Sequence, residues 1–182
     1  MYAFVILILA ALSRFLPFLM PHAVGLNFTA VGAGLLFFGS RRPRWQALIA
    51  IVVMALTDVG LTVFCYHYPF HLAAYLTTWI WYGAACLLGS ALLRKVTALR
   101  VVAGVLGSST SFFLWSNFFV WTSSMYEHNV AGLAKCYWLA LPFYGRDLLS
   151  TAIVATVLFG LPVLATKLVE TMHSARNRQA MQ

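Results

Sequence analysis

Six long apolar runs make up most of the chain and restrict the folds open to it. They lie at about 1–20, 27–39, 45–66, 72–93, 101–120 and 148–169. All but the second reach about twenty residues, the length that an α-helix needs to cross a hydrocarbon core about 30 Å thick. Because their apolar residues are continuous rather than alternating, they favour helices over a barrel of strands. The sequence predicts an all-α membrane protein, built as a six-transmembrane-helix bundle.

Composition supports this class. The chain is 62% hydrophobic and 9% charged, whereas about a quarter of the residues in a soluble domain are charged. The net charge of +8 does not indicate nucleic-acid binding, because the cations occur in short clusters between apolar runs, where such clusters set membrane orientation. We expect the lipid bilayer as the environment and no nucleic-acid partner.

The basic clusters follow the second, fourth and sixth runs, so they lie on one side of a six-helix bundle. The positive-inside rule makes that side cytoplasmic. The sequence therefore predicts a multi-pass protein of a bacterial inner membrane with both termini in the cytoplasm. Residues 1–170 form a single transmembrane domain, and residues 171–182 form a polar cytoplasmic tail. The clusters are Arg41, Arg42 and Arg44, then Arg94, Lys95 and Arg100, then Lys167, Arg176 and Arg178.

The second run is the shortest and is rich in small residues. Counted from Ala23, it is barely long enough to span a bilayer. Ala30 and Gly34 lie one helical turn apart, a spacing that permits close helix contact. We expect this contact to be made within the chain rather than with a partner protein.

The stretch 111–147 is neither plainly apolar nor plainly charged. Its aromatic residues are interspersed with isolated polar groups, which is typical of a membrane interface or of the cover of a site just below one. We expect 121–146 to form a partly helical outer loop between helices 5 and 6, with a short interfacial helix near 130–139. A plain interfacial linker is the alternative.

Polar residues gather in the half of the bundle away from the basic clusters. Ionisable groups at membrane depth are costly, and they usually face a cavity or each other. A polar, aromatic outer half above an apolar inner half predicts a binding pocket open to the outside. The candidate ligand-binding residues are Arg14, Asn27, Asp58, Tyr75, Trp79, Trp115, Asn117, Trp121 and Tyr137.

Arg14 and Asp58 lie at the same predicted depth. Each is thirteen residues along its run from the cytoplasmic side, or about 20 Å at 1.5 Å per residue. Opposite charges at equal depth offset their burial cost by pairing, so we predict a direct or water-bridged contact. Asn117, slightly further out, is expected to complete the network. Alternatively, Arg14 reaches the outer interface alone.

No enzyme signature is present, because the sequence contains no HExxH, GxSxG, paired acids or glycine-rich phosphate loop. We expect a protein that is not an enzyme, and the sequence identifies no cofactor.

Cys65, His67 and His71 are weak metal candidates, since Pro69 separates the two histidines and interfacial roles fit them better. Cys136 is a further thiol, and a small buried apolar residue is its default role.

Several short motifs carry a family resemblance. Together they resemble a family of uncharacterised bacterial integral membrane proteins, which in turn resembles the substrate-binding S components of energy-coupling factor vitamin transporters. The motifs are Arg14-x-x-Pro17, Asn27-Phe28-Thr29-x-x-Gly32, Asp58, Trp115-x-Asn117-x-x-x-Trp121, Gly132-Leu133-x-x-Cys136-Tyr137 and Leu141-Pro142-Phe143.

The resemblance implies an S-component-like bundle that binds a vitamin or a metal ion from outside under covering loops. It also implies docking on a membrane coupling protein driven by cytoplasmic ATPases. The Ala-x-x-x-Ala docking pattern of S components is absent from the first run, where Ala3, Ala10 and Ala11 have other spacings.

Two functions from different classes follow. The first is a membrane-embedded protein for binding and uptake of a vitamin-like small molecule. The second is a non-catalytic structural or accessory subunit of a larger membrane complex, with a membrane protein as partner. A binding protein requires a pocket of about 300–1,000 Å³ with convergent polar groups, whereas an accessory subunit is expected to fill that space.

Overall fold

The computed structural model describes residues 1–20, 29–163 and 170, and all regular structure within them is helical. The α-helices are α1 (Tyr2–Leu12), α2 (Leu16–Leu19), α3 (Val31–Arg41), α4 (Ala47–Val59), α5 (Leu72–Leu92), α6 (Ala98–Trp121) and α7 (Val130–Ala155). Ser13–Phe15 and Arg44–Gln46 are 3₁₀ turns, and Gly60–Cys65 and Thr156–Gly160 are π-helical turns. The predicted tail at 171–182 lies outside the described residues.

Five helical segments of the described chain are long and apolar enough to cross a membrane. They are Tyr2–Leu19, Arg44–Cys65, Leu72–Leu92, Ala98–Trp121 and Val130–Val163. The protein is therefore a multi-pass helical bundle of the membrane type, which confirms the predicted class. Four of the six predicted runs match these segments closely, and the sixth, 148–169, overlaps the second half of the last one.

The second predicted run forms a short, enclosed helix in the described part of the chain. α3 has 11 residues and a length of about 16 Å, too short to cross a bilayer alone. Every residue from Val31 to Ser40 is buried, so α3 lies in the centre of the bundle and not among lipids. The start of the predicted run, including Asn27, lies outside the described residues.

Glycines bring α3 against its neighbours at backbone distance. A Cβ on Gly39 would lie 1.9 Å from the carbonyl oxygen of Cys86, and a Cβ on Gly89 would lie 2.1 Å from that of Leu36. These two reciprocal contacts join α3 to α5 without intervening side chains. A Cβ on Gly34 would lie 2.4 Å from Cβ of Ala10 on α1, which confirms the predicted close contact of this helix within the chain.

The two ends of the bundle differ in chemistry. The turns at 41–46 and 93–97 lie together, since the Arg44 guanidinium donates to the Ser90 hydroxyl at 3.2 Å. We call this the basic end. The loops at 66–71 and 122–129 lie at the opposite ends of the same helices, and we call this the aromatic end.

The predicted interfacial helix near 130–139 is not separate from the last span, so this prediction is wrong. Helical structure is continuous over Val130–Val163, about 50 Å at 1.5 Å per residue. Asn129 caps its start by accepting from the Gly132 N–H at 2.8 Å. Pro142 removes one donor inside the helix, which membrane helices tolerate.

The outer loop is consequently short, residues 122–129, and is closed by its own hydrogen bonds. The Trp121 indole donates to the carbonyl oxygen of Glu127 at 3.0 Å, and the Asn129 amide donates to the Glu127 carboxylate at 2.8 Å. Aromatic and polar residues that suggested a cover over 121–146 lie mainly on a regular helix. The partly helical outer loop is thus replaced by a tight turn and the first half of α7.

The backbone contact between α3 and α5 gives a stability prediction. Gly89→Ala should lower the free energy of unfolding by about 1–3 kcal/mol or more, because the added methyl meets a carbonyl group that cannot rotate away. Gly145→Ala is the matched control, since a Cβ at that helical glycine meets nothing within 4 Å. It should be neutral or stabilise by about 0.5–1 kcal/mol. Thermal unfolding in detergent compares the two variants, and equal melting temperatures would contradict the contact.

Candidate functional site

An ion pair between Arg14 and Asp58 lies inside the bundle. Arg14 sits in the 3₁₀ turn that follows α1, and Asp58 in the last turn of α4 is 3% exposed. Nη2 of Arg14 donates to Oδ1 of Asp58, the single ion pair found among residues 1–20, 29–163 and 170. The contact predicted from equal depth is confirmed.

Further donors and acceptors complete the network around this pair. Nη1 of Arg14 donates to Oγ1 of Thr57 at 2.6 Å and to the carbonyl oxygen of Met54 at 3.2 Å. Oδ2 of Asp58 accepts from the Trp79 indole at 2.8 Å and from the Tyr82 hydroxyl at 3.4 Å. A buried ion pair is tolerated when its remaining hydrogen-bonding capacity is used in this way, and here three helices contribute.

Asn117 does not belong to this network, so that part of the prediction is wrong. Its amide donates to the carbonyl oxygen of Phe113, one turn back on α6, at 2.8 Å. Short polar side chains within helices readily bond to their own backbone. Trp79 and Tyr82 of α5 take the place that Asn117 was expected to fill.

A cavity of about 460 Å³ adjoins the ion pair. Helices α3 to α7, the 3₁₀ turn after α1 and the residue Thr29 before α3 contribute side chains to its wall. The lining residues are Arg14, Thr29, Val31, Gly32, Asp58, Tyr75, Thr78, Trp81, Tyr82, Phe112, Phe143 and Asp147. Polar groups and aromatic rings therefore line one common, partly open cavity.

The N-terminus of α3 borders this cavity. The Ala30 N–H donates to the Ser13 hydroxyl at 2.9 Å, and the first turn closes with Gly34 N–H donating to the carbonyl oxygen of Ala30 at 2.8 Å. The N–H groups of a helix's first turn have no intrahelical acceptor, and they carry a partial positive charge of about +0.5. Since Val31 and Gly32 line the cavity, this positive end lies at its wall.

A smaller cavity of about 160 Å³ continues from the first. Phe112, Phe143 and Asp147 line both spaces, and Ser109 and Asn117 are among the residues added by the second. Asn117 therefore lies near the site although it does not contact the ion pair.

Three buried hydroxyl groups beside these cavities form no hydrogen bond of standard geometry with the residues that the structure describes. They belong to Ser108, Ser109 and Thr151, each 1% exposed. Gly32 packs directly on two of them, because a Cβ there would lie 2.8 Å from Oγ1 of Thr151 and 3.3 Å from Oγ of Ser108. Buried hydroxyls are nearly always paired, so this cluster needs an explanation.

The other candidate residues divide between the cavity and structural positions. Tyr75 lines the cavity, and its hydroxyl lies 2.5 Å from that of Thr62. Trp115, Trp121 and Tyr137 instead donate to the backbone carbonyl oxygens of Thr77, Glu127 and Leu114, at 2.8, 3.0 and 2.7 Å respectively. These three side chains hold helices and a loop together, and none of them lines the larger cavity.

The residues proposed as weak metal candidates do not form a cluster with further donors. No group of three or more His, Cys, Asp or Glu side chains that could hold a metal ion occurs in the described part of the chain. Cys65 ends the π-helical turn after α4, whereas His67 and His71 lie in the following loop and at the N-cap of α5. Cys136 is buried, with its Sγ 3.5 Å from the carbonyl oxygen of Asn117.

Sequence reasoning missed four prominent members of the site. Thr78, Trp81 and Tyr82 were hidden in an apolar run, where aromatic residues are common. Asp147 fell outside the predicted spans, because the last span was expected to begin at residue 148. Its rarity was the available signal, since the whole chain has only four acidic residues.

The model of one family, described as a family of unknown function (DUF6580), matches residues 1–173. The chain therefore belongs to this family. No curated protein and no solved structure matches the chain.

Pairing at the site gives a second stability prediction. Asp58→Asn leaves the Arg14 charge uncompensated and should cost about 3–5 kcal/mol, and Arg14→Met should cost a similar amount. The double variant should be destabilised by less than the sum of the single variants, because it removes both charges. Equilibrium unfolding of all three gives the coupling energy. Glu127→Gln, at an exposed acid, controls for loss of a carboxylate, and strictly additive costs would contradict the pairing.

Proposed function

We propose that this member of the DUF6580 family is a membrane-embedded protein that binds a vitamin-like small molecule and takes part in its uptake. The main support is the cavity of about 460 Å³. Its volume falls in the range of about 300–1,000 Å³ that is typical of small-molecule sites. An accessory subunit has no need for such a space, and close packing would fill it.

The polar wall of the cavity is fixed before any ligand binds. Arg14, Asp58 and Tyr82 are held by their mutual contacts, and the guanidinium carbon lies 5.9 Å from the centre of the Tyr82 ring. Binding a ligand against a preorganised surface saves the cost of ordering side chains. This arrangement suits recognition of polar substituents at defined positions.

The opposite part of the wall is aromatic. Trp81 and Phe112 pack against each other with ring centres 4.6 Å apart, and Phe143 lines the same space. Aromatic faces provide large apolar contact with rings or flat heterocycles. A ligand with one ring and a few polar groups therefore matches this site.

We propose further that the site opens to the outside, with both termini in the cytoplasm. Support comes from the basic end, which carries the arginines at 41, 42 and 44 and the cations at 94, 95 and 100. The positive-inside rule makes such an end cytoplasmic. Arg14, Asp58 and Tyr75 lie in the halves of their helices that are nearer the aromatic end, the side from which a ligand would enter.

Orientation is tested by cysteine labelling in intact cells. In a background with the three native cysteines replaced, an impermeant thiol reagent should label Ser124→Cys, in the loop 122–129, but not Ser174→Cys, in the basic tail. Lysed cells serve as the control in which both positions react. The reverse pattern in intact cells would overturn the orientation.

Ligand binding is tested by native mass spectrometry of the gently purified protein. We expect a bound species on the order of a few hundred daltons. Thr78→Phe should remove it, because the new ring occupies the cavity. Ala73→Phe places the same ring at an exposed position of α5 and should retain it.

Two results would contradict the proposal. One is a bound molecule that persists in Thr78→Phe with unchanged occupancy. The other is a protein that carries no small molecule but copurifies with a stoichiometric membrane protein, which would favour the accessory role.

A further inference from the structure

We propose that Asp147 anchors a monovalent cationic group in the cavity, either a protonated amine of the bound molecule or an inorganic cation beside it. This inference rests on the proposed function, because it assigns a ligand chemistry to the same cavity. It is carried by the charge balance of the wall, by the unpartnered hydroxyls near Asp147 and by the aromatic rings around it.

The charge balance of the cavity is negative. Three side chains that carry a formal charge at neutral pH line it, namely one cation, Arg14, and two anions, Asp58 and Asp147. Arg14 and Asp58 neutralise each other through their ion pair. No Lys, Arg or His nitrogen among the described residues lies within 4.0 Å of the Asp147 carboxylate, so its charge has no partner in the part of the chain described.

Neighbouring groups do not supply a full positive charge to Asp147. Arg146 is the next residue on α7 and is exposed, and adjacent helical residues point about 100° apart. The N-terminus of α3 contributes only about half a charge. Asp147 lies within the apolar segment Val130–Val163, where an uncompensated carboxylate is costly. A bound cation removes this cost.

Hydroxyl groups lie near the same position. Ser109 lines the smaller cavity with Asp147, and its hydroxyl is close enough to interact with the carboxylate. Thr151 follows Asp147 by four residues, so both lie on one face of α7. The hydroxyls of Thr151 and Ser108 have no hydrogen-bond partner within residues 1–20, 29–163 and 170. Hydroxyl oxygens accept hydrogen bonds from an ammonium group and also coordinate hard monovalent cations, so either occupant would satisfy them.

Aromatic faces add to the attraction for a positive charge. Phe112 and Phe143 line both cavities together with Asp147. Phenyl faces attract ammonium groups through the ring quadrupole, and the effect grows when the cation is desolvated. A carboxylate flanked by two rings at the junction of two cavities is thus suited to a cation.

The test is the melting temperature of the purified protein in detergent, titrated separately with sodium chloride and with methylammonium chloride. The wild type should show a saturable rise with at least one of these salts, as any ligand that binds only the folded state stabilises it. Asp147→Asn should lose this rise. Glu127→Gln should keep it, and this exposed-acid variant controls for general salt effects.

A milder variant covers the case in which Asp147→Asn does not fold. Thr151→Val keeps the side-chain shape and removes one hydroxyl, and it should raise the half-saturating salt concentration by about tenfold, equivalent to 1.4 kcal/mol. A response to methylammonium alone assigns the charge to the organic ligand. A response to sodium alone assigns it to an inorganic cation.

The proposal is overturned if neither salt stabilises the wild type more than it stabilises Asp147→Asn, or if Thr151→Val responds like the wild type. Such a result, obtained with a protein that still carries a small molecule in the mass spectrum, removes the cation subsite and leaves the binding function intact. If the protein shows a saturable cation response but never carries a small molecule, the cation subsite is retained and the proposed binding function is removed.

Discussion

The buried pair of Arg14 and Asp58 is the constraint on which the architecture around the cavity depends. Moving either charge into an apolar bundle costs several kcal/mol, and the cost is met only if the partner and the remaining hydrogen bonds are all in place. The pair joins the turn after α1 to α4, and Trp79 and Tyr82 extend the connection to α5. Three helices are thereby held at one spacing, which fixes one wall of the cavity.

The enclosed helix α3 determines where that wall ends. Its glycines allow close packing of its backbone against α1 and α5. Ser13 precedes Arg14 in the same turn, and its hydroxyl accepts from the Ala30 N–H just before α3 begins. One short turn of chain therefore positions both the ion pair and the N-terminus of α3. The positive end of this helix and the charged pair are consequently brought to the same cavity by local geometry.

Part of this architecture could be predicted from sequence because it depends on the length of apolar segments and on the number of residues along each of them. Apolar length predicted the spans, and residue counting predicted that Arg14 and Asp58 lie at one depth. The direction of a side chain and its choice of hydrogen-bond partner do not follow from such counting. Asn117 has a suitable depth, but it bonds to its own helix, and nothing in its spacing distinguishes the two outcomes.

Residues 130–147 show a different limit. Their mixture of aromatic and polar side chains resembles an interfacial segment, and Pro142 suggests a helix end. Asn129 nevertheless starts a helix that continues beyond Pro142. Local composition cannot show that a missing hydrogen bond is tolerated, because this tolerance depends on the packing of α7 against α6. The misplaced boundary also removed Asp147 from the predicted site.

The two acidic residues of the cavity differ in burial and in their partners, and these differences give them different roles. Asp58 is 3% exposed, and both of its carboxylate oxygens accept hydrogen bonds within the protein. Its charge is therefore neutralised by Arg14 and stabilises the fold. Asp147 is only partly buried and has no cation among the described residues, so its charge remains available to whatever enters. Because Arg14 is held by its partner, the pair adds hydrogen-bond direction rather than net charge to the cavity wall. Under our proposal, the charge that a ligand would meet is that of Asp147.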